Sequence, residues 1–78
     1  MKAEFIKNIE GWRGDASLYK CGDVYFIVSA VNNVFAHETM AFAADEHGNL
    51  TDGCMDVACI DGVMDHKSLL QQMGYELA

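Results

Sequence analysis

The sequence predicts an α+β fold: a small antiparallel meander of three to four strands with a C-terminal helix packed on one face. Three features predict it. Residues 24–31 form a charge-free run of mainly β-branched and aromatic residues, with no Gly or Pro. Asp45-Glu46-His47-Gly48-Asn49 has tight-turn chemistry, with Gly48 suited to the left-handed position that closes a hairpin. Asp65 and Gly74 bracket residues 66–73 as an N-cap and a C′ residue would.

From the N-terminus, Phe5, Ile6, Ile9 and Trp12 are spaced for one helical face, so a short N-terminal helix is expected over residues 2–10, ended by Gly11. An extended arm packing Phe5, Ile9 and Trp12 is the alternative. Gly11-Trp12-Arg13-Gly14-Asp15 is a turn-rich junction. A short strand over 17–20 follows, and Cys21-Gly22-Asp23 reads as a hairpin connection. The run 24–31 is apolar on both alternate faces, which places it centrally in a sheet. Asn32-Asn33 breaks it, and 38–44 is the next strand. After the Gly48 turn, 49–51 returns antiparallel.

Residues 54–60 add an irregular strand, with Met55, Val57 and Cys59 on one face and Cys54, Asp56, Ala58 and Ile60 on the other. In the C-terminal helix Leu69, Leu70 and Met73 make the apolar face, and Tyr75 and Leu77 pack back beyond Gly74.

The 78 residues are expected to form a single domain, 1–78, without repeats, linker or proline. A hydrophobic content of 51% is too high for a disordered tail. There is no apolar run of 18 residues or more, and charges interrupt the first residues before a signal-peptide stretch forms, so a cytoplasmic location is expected. The cysteines Cys21, Cys54 and Cys59 are odd in number and are expected to be reduced and mostly buried.

The sequence carries 12 acids against five Lys and Arg, a net charge of −7. That opposes direct contact with nucleic acid, whose phosphates need cationic side chains. It leaves a basic protein surface or a cation as the electrostatic partner. The acids concentrate in one stretch: Glu38, Asp45, Glu46, Asp52, Asp56, Asp61 and Asp65 lie in a segment without Lys or Arg. If they converge, they form a surface for Lys and Arg of a protein partner. A solvated face that only maintains solubility is the competing reading, and Asp45 and Asp65 already have roles in the turn and the cap. Trp12 and Tyr19 are the aromatic anchors such a surface would use, with the core as the competing place for Trp12.

Other chemistries find little support. His37, His47, His66 and the cysteines show no closely spaced ligand pairs, and Asp45 to Asn49 resembles a calcium loop only loosely. Neither a metal nor another cofactor is therefore expected. No nucleophile elbow surrounds Ser17, Ser29 or Ser68, and a constellation of Ser17, His66 and an Asp can be written for almost any chain. Arg13-Gly14-Asp15 spells an adhesion tripeptide, but reads as a polar turn.

Gly11-Trp12-Arg13-Gly14-Asp15-Ala16-Ser17-Leu18-Tyr19, Val28-Ser29-Ala30, Glu38-Thr39, Asp45-Glu46-His47-Gly48, Asp65-His66 and Gly74-Tyr75-Glu76 together resemble a group of small bacteriophage- and prophage-encoded proteins. The likeness runs from residue 11 to residue 76 as a pattern of short matches, although members of that group carry a longer segment between the first two strands than Cys21-Gly22-Asp23. It implies a phage setting inside a bacterial host cell and transfers no catalytic residue.

In that setting the expected function is protein binding, most sharply as an anti-CRISPR-like inhibitor of a host nucleic-acid-handling defence complex. The protein would contact neither nucleic acid nor membrane and would be a monomer or weak homodimer. The alternatives are a phage structural or accessory protein that dimerises through the edge of strand 24–31, and a small metal-dependent enzyme.

Overall fold

Strand β3 (Val24–Asn32) is flanked on both sides in the computed structural model, which describes residues 2–11, 15–32, 37–51, 56–62 and 65–77. β2 (Asp15–Cys21) pairs with it antiparallel through the Gly22 turn, and β4 (His37–Ala44) pairs on the other side. β1 (Lys2–Asn8) lies outside β2, and β5 (Asp56–Asp61) lies outside β4, both antiparallel. A two-residue strand β6 (Glu76–Leu77) adds parallel to β1, giving the order β5-β4-β3-β2-β1-β6. The expected meander is therefore a mixed six-stranded sheet, and the fold remains α+β with one short helix, α1 (His66–Gln72).

Two corrections follow. The segment 2–10 expected as a helix is strand β1 over Lys2–Asn8. Its apolar spacing did not mark a buried stripe: Phe5 and Ile6 are 50% and 40% exposed, and Ala3 is the buried residue. A register shift between Phe5 and Lys7 makes Ile6 the extra residue of a bulge, which accommodates two adjacent apolar residues in a strand. Pairing with β2 outweighs a weak helical preference without an N-cap. The second correction concerns the cysteines. Cys21 is buried, but Cys59 is exposed, because it lies on the face of edge strand β5 away from the helix; Cys54 lies outside the described residues.

The helix is set by local chemistry. Asp65 Oδ1 accepts from the Ser68 backbone N–H at 2.9 Å, capping the first turn. At the other end Gly74 has φ +96°, its N–H donates to Gln71 O, and the Tyr75 N–H donates to Leu70 O at 2.9 Å. This pair of bonds is a Schellman motif, and it redirects the chain into β6.

Side chains alternate across the sheet and build two apolar layers. On the helix face Ala3, Tyr19, Cys21, Val28 and Ala41 pack against Leu69 and Leu70, with Met73, Tyr75 and Leu77 around them. On the other face Ala16, Leu18, Ile27 and Ala44 are covered by Ile9, Tyr25 and Leu50. That cover depends on the turn after β4. Gly48 (φ +86°) sits so close to Ile9 that a Cβ would meet its Cδ1 at 3.0 Å, and Lys7 Nζ donates to His47 O nearby. Leu50 then returns to bridge Ala44 antiparallel. Fully burying a side chain such as Leu18 or Ile27 stabilises by about 1.5–3 kcal/mol, so both layers matter in so small a domain.

Candidate functional site

The strand registers decide which acids share a place. Asp15 pairs with Ala30, Ala30 with Thr39, and Thr39 with Ile60. On the neighbouring rung Val31 pairs with Glu38 and Glu38 with Asp61. Asp15, Glu38 and Asp61 thus sit at one end of the sheet, Asp15 on the helix face beside His66 and its neighbour, the α1 cap Asp65, and Glu38 and Asp61 on the opposite face. Lys67 is the basic side chain among the described residues of this end.

Within that rim Glu38 and Asp61 are directly opposed across β4 and β5. Directly opposed residues of antiparallel strands bring their Cβ atoms to about 4.5–5.5 Å, where like charges repel. The corner carrying them is fixed by backbone and side-chain bonds: the Gly62 N–H donates to His37 O at 2.8 Å, and the buried Thr39 hydroxyl donates to Gly62 O at 3.3 Å. Among the described residues neither acid makes an ion pair.

On the helix side the rim is anchored by His66. Its Nδ1 lies 2.9 Å from the Tyr19 hydroxyl and its Nε2 lies 2.9 Å from the Asp15 carbonyl oxygen. A carbonyl only accepts, so Nε2 carries the proton and Nδ1 accepts from Tyr19. The Asp15 carboxylate is 3.7 Å from the same Nε2. Burial raises the Tyr19 phenol pKa above its ordinary value; a hydrogen bond with Ser17 opposes this, while the negative charges of Asp15 and Asp65 add to it. The phenol thus keeps the proton it donates. Ser17 in turn donates to Asn8 Oδ1 at 3.1 Å, so a polar chain ties β1, β2 and the start of α1. The Asp65 carboxyl is held below its usual range by hydrogen bonds from the Ser68 side chain and backbone.

The remaining acids lie elsewhere. Asp45 and Glu46 follow the far end of β4, about 23 Å along the strand from Glu38 at a rise of about 3.3 Å per residue. Asp45 is occupied with its turn, accepting from the backbone N–H groups of His47 at 2.8 Å and Asn49 at 2.9 Å, with the Asn49 bond foremost in lowering its pKa. Asp56 opens β5 opposite Phe42, toward the same far end. Asp52 and Trp12 lie outside the described residues. Tyr19 is 5% exposed, so its ring belongs to the core and presents no anchor to a partner, a correction that follows from its central place between β1 and β3.

Sequence reasoning missed Asp15 as a rim residue, because only the hairpin register brings it level with Thr39 and Ile60. It missed the Tyr19–His66 bond too, although a polar ring immediately after an N-cap is a usable signal. Among the described residues no group of three or more His, Cys, Asp and Glu is placed to hold a metal ion. No helix among them is long and apolar enough to cross a membrane. No family model, curated protein or solved structure matches the chain.

Proposed function

We propose that this protein acts by binding a basic protein surface through the acidic rim of Asp15, Glu38, Asp61 and Asp65. The observation that carries the reading is the Glu38–Asp61 pair. Two acids held face to face on neighbouring strands cost stability in the free protein, and a Lys or Arg from outside relieves that cost. Asp15 and Asp65 extend the same field around the end of the sheet, and the net charge of −7 adds attraction over longer range. A surface that meets acids in this way is the kind that handles nucleic acid. The resemblance to small phage and prophage proteins makes a host defence complex the natural target, with anti-CRISPR action as the sharpest form.

The test is an affinity pull-down from a bacterial lysate containing CRISPR effector complexes, eluted with rising salt, followed by a nuclease assay on any complex recovered. Capture of a nucleic-acid-handling complex that releases at moderate salt is expected, because rim charges are screened. Glu38→Lys with Asp61→Lys abolishes capture, whereas Glu46→Lys at the far end leaves it. Equal capture by both variants removes the rim from the reading, and failure to recover any such complex removes the target class.

A further inference from the structure

The residues that the acidic rim leaves unused point to a second surface. β3, whose uncharged run invited an edge contact, is enclosed by β2 and β4 and offers no edge. Two strands do: β5, which carries Asp56 and Asp61 and no basic residue, and β1. Among the described residues, β6 covers the outer side of β1 only at Lys2 and Ala3. Beyond them lie Glu4, Phe5, Ile6 and Lys7, all exposed. Phe5 and Ile6 are two of the three large apolar residues most exposed among those described, the third being Val24.

The geometry points to a second copy of this chain as the occupant of this edge, paired antiparallel along β1 about a two-fold axis between Phe5 and Ile6. In that register Glu4 of one copy faces Lys7 of the other, Phe5 faces Ile6, and the same pairs recur on the other side of the axis, as an isologous interface requires. The four residues are self-complementary in charge and in apolar character.

The wider electrostatics select the same edge. Two copies that each carry −7 repel wherever acids meet. Lys2 is paired with Glu76 of β6 at 2.8 Å, so this edge carries Lys2 and Lys7 against Glu4 and Glu76, balanced by charge count, and the copies meet there without a net excess of acid. Glu4 makes no ion pair among the described residues, and Lys7 Nζ spends one of its three donors on His47 O, leaving two for Glu4 of the other copy.

The bulge at Ile6 sets the character of the contact. Bulges limit continuous ladder pairing at an edge, so the backbone bonds are few and the side chains of Phe5 and Ile6 carry the association. The interface is small and the dimer weak, which keeps the rim on each copy available to a different partner.

Sedimentation equilibrium of the full chain up to about 1 mM, the range where small interfaces associate, tests this. Self-association is expected for the native protein. Glu4→Lys and Lys7→Glu each weaken it roughly tenfold, because two opposite-charge pairs per dimer become like-charge pairs. The double variant E4K/K7E restores it. Circular dichroism confirms that each variant is folded. A native protein that stays monomeric across the range overturns the proposal, and so does association that the single variants leave unchanged or that the double variant fails to restore.

Discussion

The imidazole of His66 bridges Tyr19 and Asp15, accepting a hydrogen bond from the phenol at Nδ1 and donating one from Nε2 to the Asp15 carbonyl oxygen, each across 2.9 Å. The rings of Tyr19 and His66 meet edge to face with centroids 5.7 Å apart. One side chain at the first position of α1 thereby holds the helix to the strand beneath it.

Tyr19→Phe is expected to cost about 1 kcal/mol, the net worth of one hydrogen bond. His66→Ala costs more, since it also empties a site whose side chain is only 10% exposed and strands the Tyr19 hydroxyl. The double variant costs less than the sum, because both changes break the same bond. Urea unfolding of the four proteins measures the coupling. A nitrogen–proton correlation spectrum of the native protein is expected to show the Nε2–H tautomer.

Alkaline pH is expected to destabilise the fold through Cys21. Burial in the helix-side layer pushes its thiol up to about 11 from 9.0. Between those values the unfolded chain has lost the proton that the folded chain keeps, so stability falls as pH rises across this window. Tyr19, also raised by burial, adds a contribution of the same sign above pH 10.0. Urea midpoints measured from pH 7 to about 11 should decline above about 9, with a shallower slope in Cys21→Ala. Thiol labelling of the folded protein below pH 9 should mark Cys59 and spare Cys21.

Two glycines separate strain from collision. Gly74 and Gly48 both have positive φ, +96° and +86°, but a Cβ at Gly74 meets nothing within 4 Å, whereas at Gly48 it meets Ile9. Gly74→Ala is expected to cost about 1–2 kcal/mol from backbone conformation alone. Gly48→Ala costs more, because Ile9 must also shift off Leu18 and Ala44. The check is thermal unfolding of both variants. Equal losses mean that the Ile9 cover yields freely.

Much of the fold was legible where its cause is local. The cap at Asp65, the Schellman turn at Gly74, the Gly48 turn and the two apolar faces of β3 are each written in a few adjacent residues, and each is found in place. β1 and β6 were not legible, because their pairing joins Lys2 to Glu76 and Ala3 to Leu77 across the length of the chain. The site followed the same rule. The acidity of residues 38–65 was visible, but strand register divides it, sending Asp45 and Glu46 to one end and keeping Glu38, Asp61 and Asp65 at the other. Asp15 joins them from outside that stretch, by way of a hairpin that only the β2–β3 register defines.

The opposed acids give the sharpest expectation, because stability and binding should move in opposite directions. Asp61→Asn removes one charge of the Glu38–Asp61 pair and should stabilise the free protein by about 0.5 kcal/mol. Glu38→Gln should do the same, but the double variant should gain little beyond either single one, since one neutral partner already ends the repulsion. Added salt screens the pair, so the gain should shrink as ionic strength rises. Urea unfolding at low and high salt reads all three effects. The same variants should bind a basic partner less tightly, as the rim loses charge. Variants that leave stability unchanged at low salt would mean the carboxylates turn away from each other, and would take from the rim the stored repulsion that a partner's Lys or Arg relieves.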